Sequence, residues 1–140
     1  MEYGVNLWAV LTSVVISVIL GTLWYGPLFG KSWMHMMGIT QEKMEDMKKS
    51  GQAAMRMSYG IMIVSSLITT YVLAYILKSF AIGDASSAIQ FAVLVWLGFI
   101  GTIMTGIVSW EGKPWKLWLI NSGYHLVNLA IASWILVSWK

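Results

Sequence analysis

Four apolar stretches dominate this 140-residue chain, at about 5–24, 58–78, 88–109 and 115–139. Each has roughly the 20 residues a helix needs to cross a bilayer. Charged side chains touch them only at their edges, as Lys78 and Lys116. Inside hydrocarbon every backbone amide must find its partner within its own segment, so such runs fold as helices. The chain therefore reads as all-α: a polytopic membrane protein with a four-transmembrane-helix bundle in a single domain, residues 1–140. At 58% hydrophobic and 11% charged residues, no polar tract is long enough for a separate soluble domain. The first run follows Met1-Glu2-Tyr3-Gly4, without a basic flank, and no small-residue cleavage site follows it, so it reads as a retained span.

The basic residues sort by side. Lys31, Lys43, Lys48, Lys49 and Arg56 fall in the connection 25–57, and Lys113 and Lys116 in the third connection, against Lys78 and Lys140 on the opposite side. Basic short loops stay on the cytoplasmic side. The expectation is a bacterial cytoplasmic (inner) membrane protein with both termini on the outer face. The net charge of +3 is then a topology signal and an attraction to anionic lipid, and no nucleic-acid partner is expected.

The long connection opens at Trp24-Tyr25-Gly26-Pro27, where proline is expected to end the first helix. Further on, Thr40 is placed to cap a short amphipathic interfacial helix, with Ile39 and Met44 as a hydrophobic staple, resting on the cytoplasmic surface or on the bundle; the alternative is a solvated connector with a weak helical tendency. Ser50-Gly51 should separate it from the second span. Gly83-Asp84 predicts a turn before the third span, with Asp84 or Ser86 as cap, and Pro114 suits the first turn of the fourth. Glu111 is placed to pair with Lys31 and tie the two loops of that side together.

Small residues recur every fourth position as Ala9, Ser13, Ser17 and Gly21, and again as Gly98, Thr102 and Gly106. In lipid such stripes let helices approach closely. They predict packing faces, within one chain or between copies, so a homo-oligomer or a larger membrane complex is expected.

Chemistry is sparse. Without cysteine, disulfides, thiolate metal sites and thiol catalysis are excluded. No nucleophile elbow, zinc-protease helix, phosphate loop or dinucleotide fingerprint occurs, so no catalytic residue is assigned. The pointed feature is Asn121, His125 and Asn128, spaced four and three apart and so on one side of the fourth helix near its centre. An ionisable group there faces the bundle interior or a wet cavity, as a ligand or proton site or as interhelical glue. A zinc site is not expected from two histidines without cysteine or an intramembrane carboxylate, and haem would need His125 from two copies. Met34-His35-Met36-Met37 resembles a copper donor set, but neighbours on a helix point apart, and interfacial filler explains them. Of the nine tryptophans, Trp8, Trp24, Trp33, Trp110, Trp115 and Trp139 fall near boundaries as an aromatic belt. Trp96, Trp118 and Trp134 lie deeper, where each indole N–H needs a partner.

The run from Trp24 to Met34, with Trp96-Leu97-Gly98-Phe99, Trp110-Glu111-Gly112 and Asn121 to His125, resembles a family of small four-span bacterial membrane proteins catalogued as a domain of unknown function. The shared residues would be Trp24, Tyr25, Phe29, Lys31, Trp33, Gly98, Trp110, Asn121 and His125. The resemblance implies location and architecture and brings no reaction or cofactor. A non-enzymatic, self-associating bundle is the first expectation. The alternatives are a small transporter, channel or proton-linked binder using the Asn/His/Asn stripe, and a membrane enzyme or cofactor carrier.

Overall fold

The computed structural model describes residues 4–139. Lys140 and the Met1–Tyr3 flank on which the retained-span reading leans lie outside them. Four long helices are present: α1 (Leu7–Leu28), α4 (Gln52–Ser79), α5 (Ala85–Ser109) and α6 (Trp115–Ser138). The shortest, at 22 residues, is about 33 Å long, enough for a hydrocarbon layer of about 30 Å. Between α1 and α4 lie two short helices, α2 (Gly30–Met37) and α3 (Gln41–Ser50). The chain is an all-helical, multi-pass membrane bundle.

The helix starts follow capping chemistry. The Asn6 side chain accepts from the backbone N–H groups of Trp8 and Ala9 at 3.0 and 3.3 Å, Thr40 Oγ1 from Lys43 at 3.2 Å, and Asp84 Oδ1 from Ser87 at 2.9 Å. Capping by Asp84 starts α5 at Ala85, ahead of the expected 88. Similarly, α4 starts at Gln52 because Gln52-Ala53-Ala54-Met55-Arg56-Met57 consists of good helix formers. Gly38 ends α2 at φ +72°, with the Ile39 N–H donating to the Met34 carbonyl at 2.9 Å.

Pro27 does not end α1, contrary to expectation. Residues Trp24–Leu28 widen into a π turn, closed by the Phe29 N–H donating to the Trp24 carbonyl at 2.9 Å, and this wider ring accommodates a residue without an N–H. The chain then enters α2 at once. A Cβ at Gly30 would sit 2.5 Å from the Tyr25 carbonyl oxygen, so only glycine fits that junction.

The least hydropathic of the four spans, α6, sits in the middle, with packed contacts to α1, α4 and α5. Lipid favours apolar surface outside, so the most polar helix is the enclosed one. The tightest pairing is α5 on α6, where Ala88 and Ala92 are fully buried. Leu73, Leu77, Ala88, Ala92, Leu129, Ala132 and Val137 close one end of the bundle. The termini share that end: Lys78 Nζ donates to the Gly4 carbonyl, and Asn6 Nδ2 lies 3.5 Å from the Trp139 carbonyl. Toward the other end α4 diverges, with no buried residue from Gln52 to Thr69.

At that loop end the tie between the two connections is Lys113 Nζ, 3.5 Å from the Met36 carbonyl at the C-terminal end of α2. The expected Lys31–Glu111 ion pair does not form among the described residues. A cation at the negative end of a short helix takes its place.

Candidate functional site

The two asparagines of the α6 stripe reach to α1. The Tyr25 hydroxyl donates to Asn121 Oδ1 at 3.0 Å, and the Ser17 hydroxyl lies 2.6 Å from Asn128 Oδ1. Two further bonds cross the same seam, from Trp24 Nε1 to the Ile120 carbonyl at 2.9 Å and from the Tyr124 hydroxyl to the Ser17 carbonyl at 3.1 Å. Interhelical bonds in lipid are worth roughly 0.6 kcal/mol each, and up to about 1.7. Four of them, on the buried Ala9, Ser13, Ser17 and Gly21 face, fix α1 to α6. A Cβ at Gly21 would meet the Tyr124 hydroxyl oxygen at 3.3 Å, so the glycine is what lets the tyrosine lie across α1.

His125, near the middle of α6, is arranged differently. Its ring meets the Tyr124 ring edge-on at a centroid distance of 5.2 Å, and its nitrogens make no hydrogen bond among the described residues. The imidazole lines a groove of about 330 Å³ between α4, α5 and α6, together with Thr69, Phe99, Ile103, Met104 and Asn128. The three-residue stripe thus divides. Asn121 and Asn128 hold helices together, and His125 presents its polar atoms to a cavity.

The wall supplied by α5 is irregular. Residues Leu97–Gly101 form a π turn and Ile103–Thr105 a 3₁₀ turn. In a continuous α-helix the Gly101 carbonyl would receive the Thr105 N–H, but that N–H donates to Thr102 at 3.2 Å. Trp118 Nε1 supplies the missing donor to Gly101 at 2.9 Å. Trp96 Nε1 in turn donates to the Ser122 carbonyl at 2.7 Å. Both deep indoles find backbone partners, whereas Trp134 is exposed to the lipid side.

At the loop end the boundary residues form an aromatic cluster. Trp24 packs on Phe29 at 4.8 Å, and Tyr25 on Trp33 at 5.7 Å and Tyr124 at 5.6 Å. Lys31 and Glu111 are exposed beside it, and Trp110 is 90% exposed. A second cavity opens here, about 460 Å³, between α1, α6 and the diverging half of α4. Tyr59 and Tyr124 line it, and the sequence reading assigned neither a role. Tyr124 shares the polar side of α6, four residues before Asn128, which was the available signal.

The second small-residue stripe does not pack inside the chain. Among the described residues, Gly98 has no atom within 4 Å of a built Cβ, Thr102 is exposed, and Gly106 approaches only Trp110, the residue just past the end of α5. The face α5 turns to α6 is instead Ala88 and Ala92, also four apart. No group of three or more His, Cys, Asp or Glu side chains converges among the described residues.

A family described as "Protein of unknown function (DUF1761)" matches residues 8–137. No curated protein and no solved structure matches the chain.

Proposed function

The chain belongs to the DUF1761 family, whose membership brings no reaction with it, and we propose that it is a membrane-embedded binding protein acting through the His125 groove. The observation that carries this reading is the imidazole at mid-span with neither nitrogen bonded by the described residues, beside an apolar wall. An uncompensated polar group in lipid is costly, so a ligand that completes its hydrogen bonds gains that energy. The packed cluster of Leu73, Leu77, Ala88 and Leu129 closes the terminal end, which favours a bound molecule over a continuous pore. Two histidines make the test selective: in His35→Gln protein, nitrogen NMR of the imidazole reports His125 alone. Purification from native membranes should yield a small molecule that shifts this signal and is lost at least about tenfold on His125→Phe. Equal retention by His125→Phe would remove the groove from the account.

A second reading, self-association, is favoured by the outward Gly98 and Thr102 face, which no other helix covers among the described residues. The basic loop end would face the cytoplasm and the termini the outside of a bacterial inner membrane, by the same charge bias. Because the chain has no cysteine, single thiols introduced at Ser86 and at Lys113 would label from opposite sides of intact cells, Ser86→Cys from outside.

A further inference from the structure

The loop-end cavity is a separate site from the His125 groove, and hydrogen-bond accounting reveals what it can hold. Its wall carries five hydroxyls, and four have already given their only proton. The Tyr25 hydroxyl donates to Asn121 at 3.0 Å and that of Tyr124 to the Ser17 carbonyl at 3.1 Å. Within their own helices, the Thr22 hydroxyl donates to the Val18 carbonyl at 2.9 Å and the Ser58 hydroxyl to the Ala54 carbonyl at 3.1 Å. What they still offer is lone pairs.

Around those lone pairs stand the rings of Tyr25, Tyr59 and Tyr124 and the weakly accepting Met62 sulfur. Among the described residues, no lysine, arginine or carboxylate lines the cavity. The Gly21 and Gly26 backbones add no side-chain bulk, leaving about 460 Å³. Aromatic faces carry negative quadrupole potential and attract cations, quaternary ammonium above all. A wall of aromatic rings and acceptors, with no fixed positive charge among its described residues, disfavours anions.

We propose that this cavity binds the alkylammonium head of an amphiphile, whose chain lies in the lipid where α4 diverges. Acyl chains alone would not call for the hydroxyl lone pairs set into this largely apolar wall. The same head group occurs on zwitterionic lipids and on free lipophilic amines, and recognition would be common to both.

The test uses the full chain in dodecyl maltoside, free of ammonium lipid, with fluorotyrosine resonances followed by NMR. Dodecyltrimethylammonium below its micellar concentration should shift the cavity tyrosines saturably. The isostere bearing a tert-butyl group in place of trimethylammonium, identical in shape but uncharged, should bind at least about tenfold more weakly. Tyr59 is 46% exposed and makes no hydrogen bond among the described residues, so Tyr59→Leu leaves the fold intact, as its helical circular dichroism should show. That variant should weaken binding roughly 3- to 30-fold, while Tyr59→Trp retains or tightens it. His125→Phe should leave this affinity unchanged, so the two sites stand or fall separately. Competition by dodecylphosphocholine assigns the lipid headgroup as the source of the ammonium, and failure to compete assigns a free amine. Equal binding of the isostere, or no loss in Tyr59→Leu, overturns the proposal.

Discussion

Ser17 has one hydroxyl proton and two acceptors in reach, the Ser13 carbonyl at 2.8 Å and Asn128 Oδ1 at 2.6 Å. Ser17 is buried, so losing either partner forces the proton wholly onto the other, and the two side chains are coupled. A double-mutant cycle of Ser17→Ala and Asn128→Ala should give a coupling of about 0.6 to 1.7 kcal/mol, read from SDS-induced unfolding in mixed micelles. Additivity within about 0.3 kcal/mol would show that the contact holds nothing. The spacing of Asn121, His125 and Asn128 made the polar side of α6 legible, because helical periodicity fixes direction. It did not reveal which neighbour each would meet. Tyr124 lies within the same arc, next to the mid-span His125, but its position on α6 names no partner, and only the facing Gly21 turns it into a bridge. Lys31 and Glu111 have complementary charge, yet exposed pairs gain about 0 to 1 kcal/mol, too little to dictate geometry.

Among the elements, α5 shows how a tertiary contact reshapes a helix. Leu97-Gly98-Phe99-Ile100-Gly101 would serve an α-helix as readily as a π turn, so nothing local announced the break. It is stabilised from outside, by the Trp118 indole completing the Gly101 carbonyl. Trp118→Phe should keep most of the packing but leave that carbonyl short of a donor, at a cost of about 1–3 kcal/mol. Amide exchange from Leu97 to Thr105 should then quicken more than in α6; unchanged protection would mean that the break holds itself. Pro27 was equally ambiguous, because a missing N–H stops an α ladder but fits a turn closed two residues later by Phe29. The Asp84 cap was legible, with Ser86 as the other candidate, because capping is local, whereas the apolar run alone put the start of α5 three residues late, at 88. Hydrogen bonds from Ser87, side chain first and then backbone, hold the Asp84 carboxyl below its ordinary value of 3.8. A lowered folded-state pKa makes the cap fully effective above the unfolded value, and its contribution is lost as pH falls through the folded one. The Ser87 amide should therefore exchange faster, relative to Asp84→Asn protein, as pH is taken below 3.8. The same acid response in Asp84→Asn would exclude the carboxylate as its cause.

For the whole molecule, the four crossings followed from length and apolarity, since lipid leaves the backbone almost no alternative to helix. The polar stripe placed one side of α6 toward the interior, but the central position of the whole helix, which agrees with its having the lowest hydropathy of the four spans, was not anticipated. The divergence of α4 was not legible. Apolar side chains gain little by leaving lipid for one another, so sequence hydrophobicity does not dictate how far two spans stay in contact. The two small-residue stripes make the same point, for they look equivalent on paper. One is closed by α6: a leucine at Gly21 would collide with Tyr124, whose hydroxyl oxygen already lies 3.3 Å from a built Cβ. Gly21→Leu should accordingly destabilise the monomer. The other stripe faces away from the bundle, and Gly98 has space for any side chain. If close backbone approach between copies occurs there, Gly98→Leu should reduce energy transfer between donor- and acceptor-labelled chains in liposomes by about tenfold, with the unfolding midpoint of the monomer unchanged. Transfer that persists in Gly98→Leu at the same protein-to-lipid ratio would place the contact elsewhere, and transfer at the random-collision level in the parent chain would show that the face is covered by lipid alone.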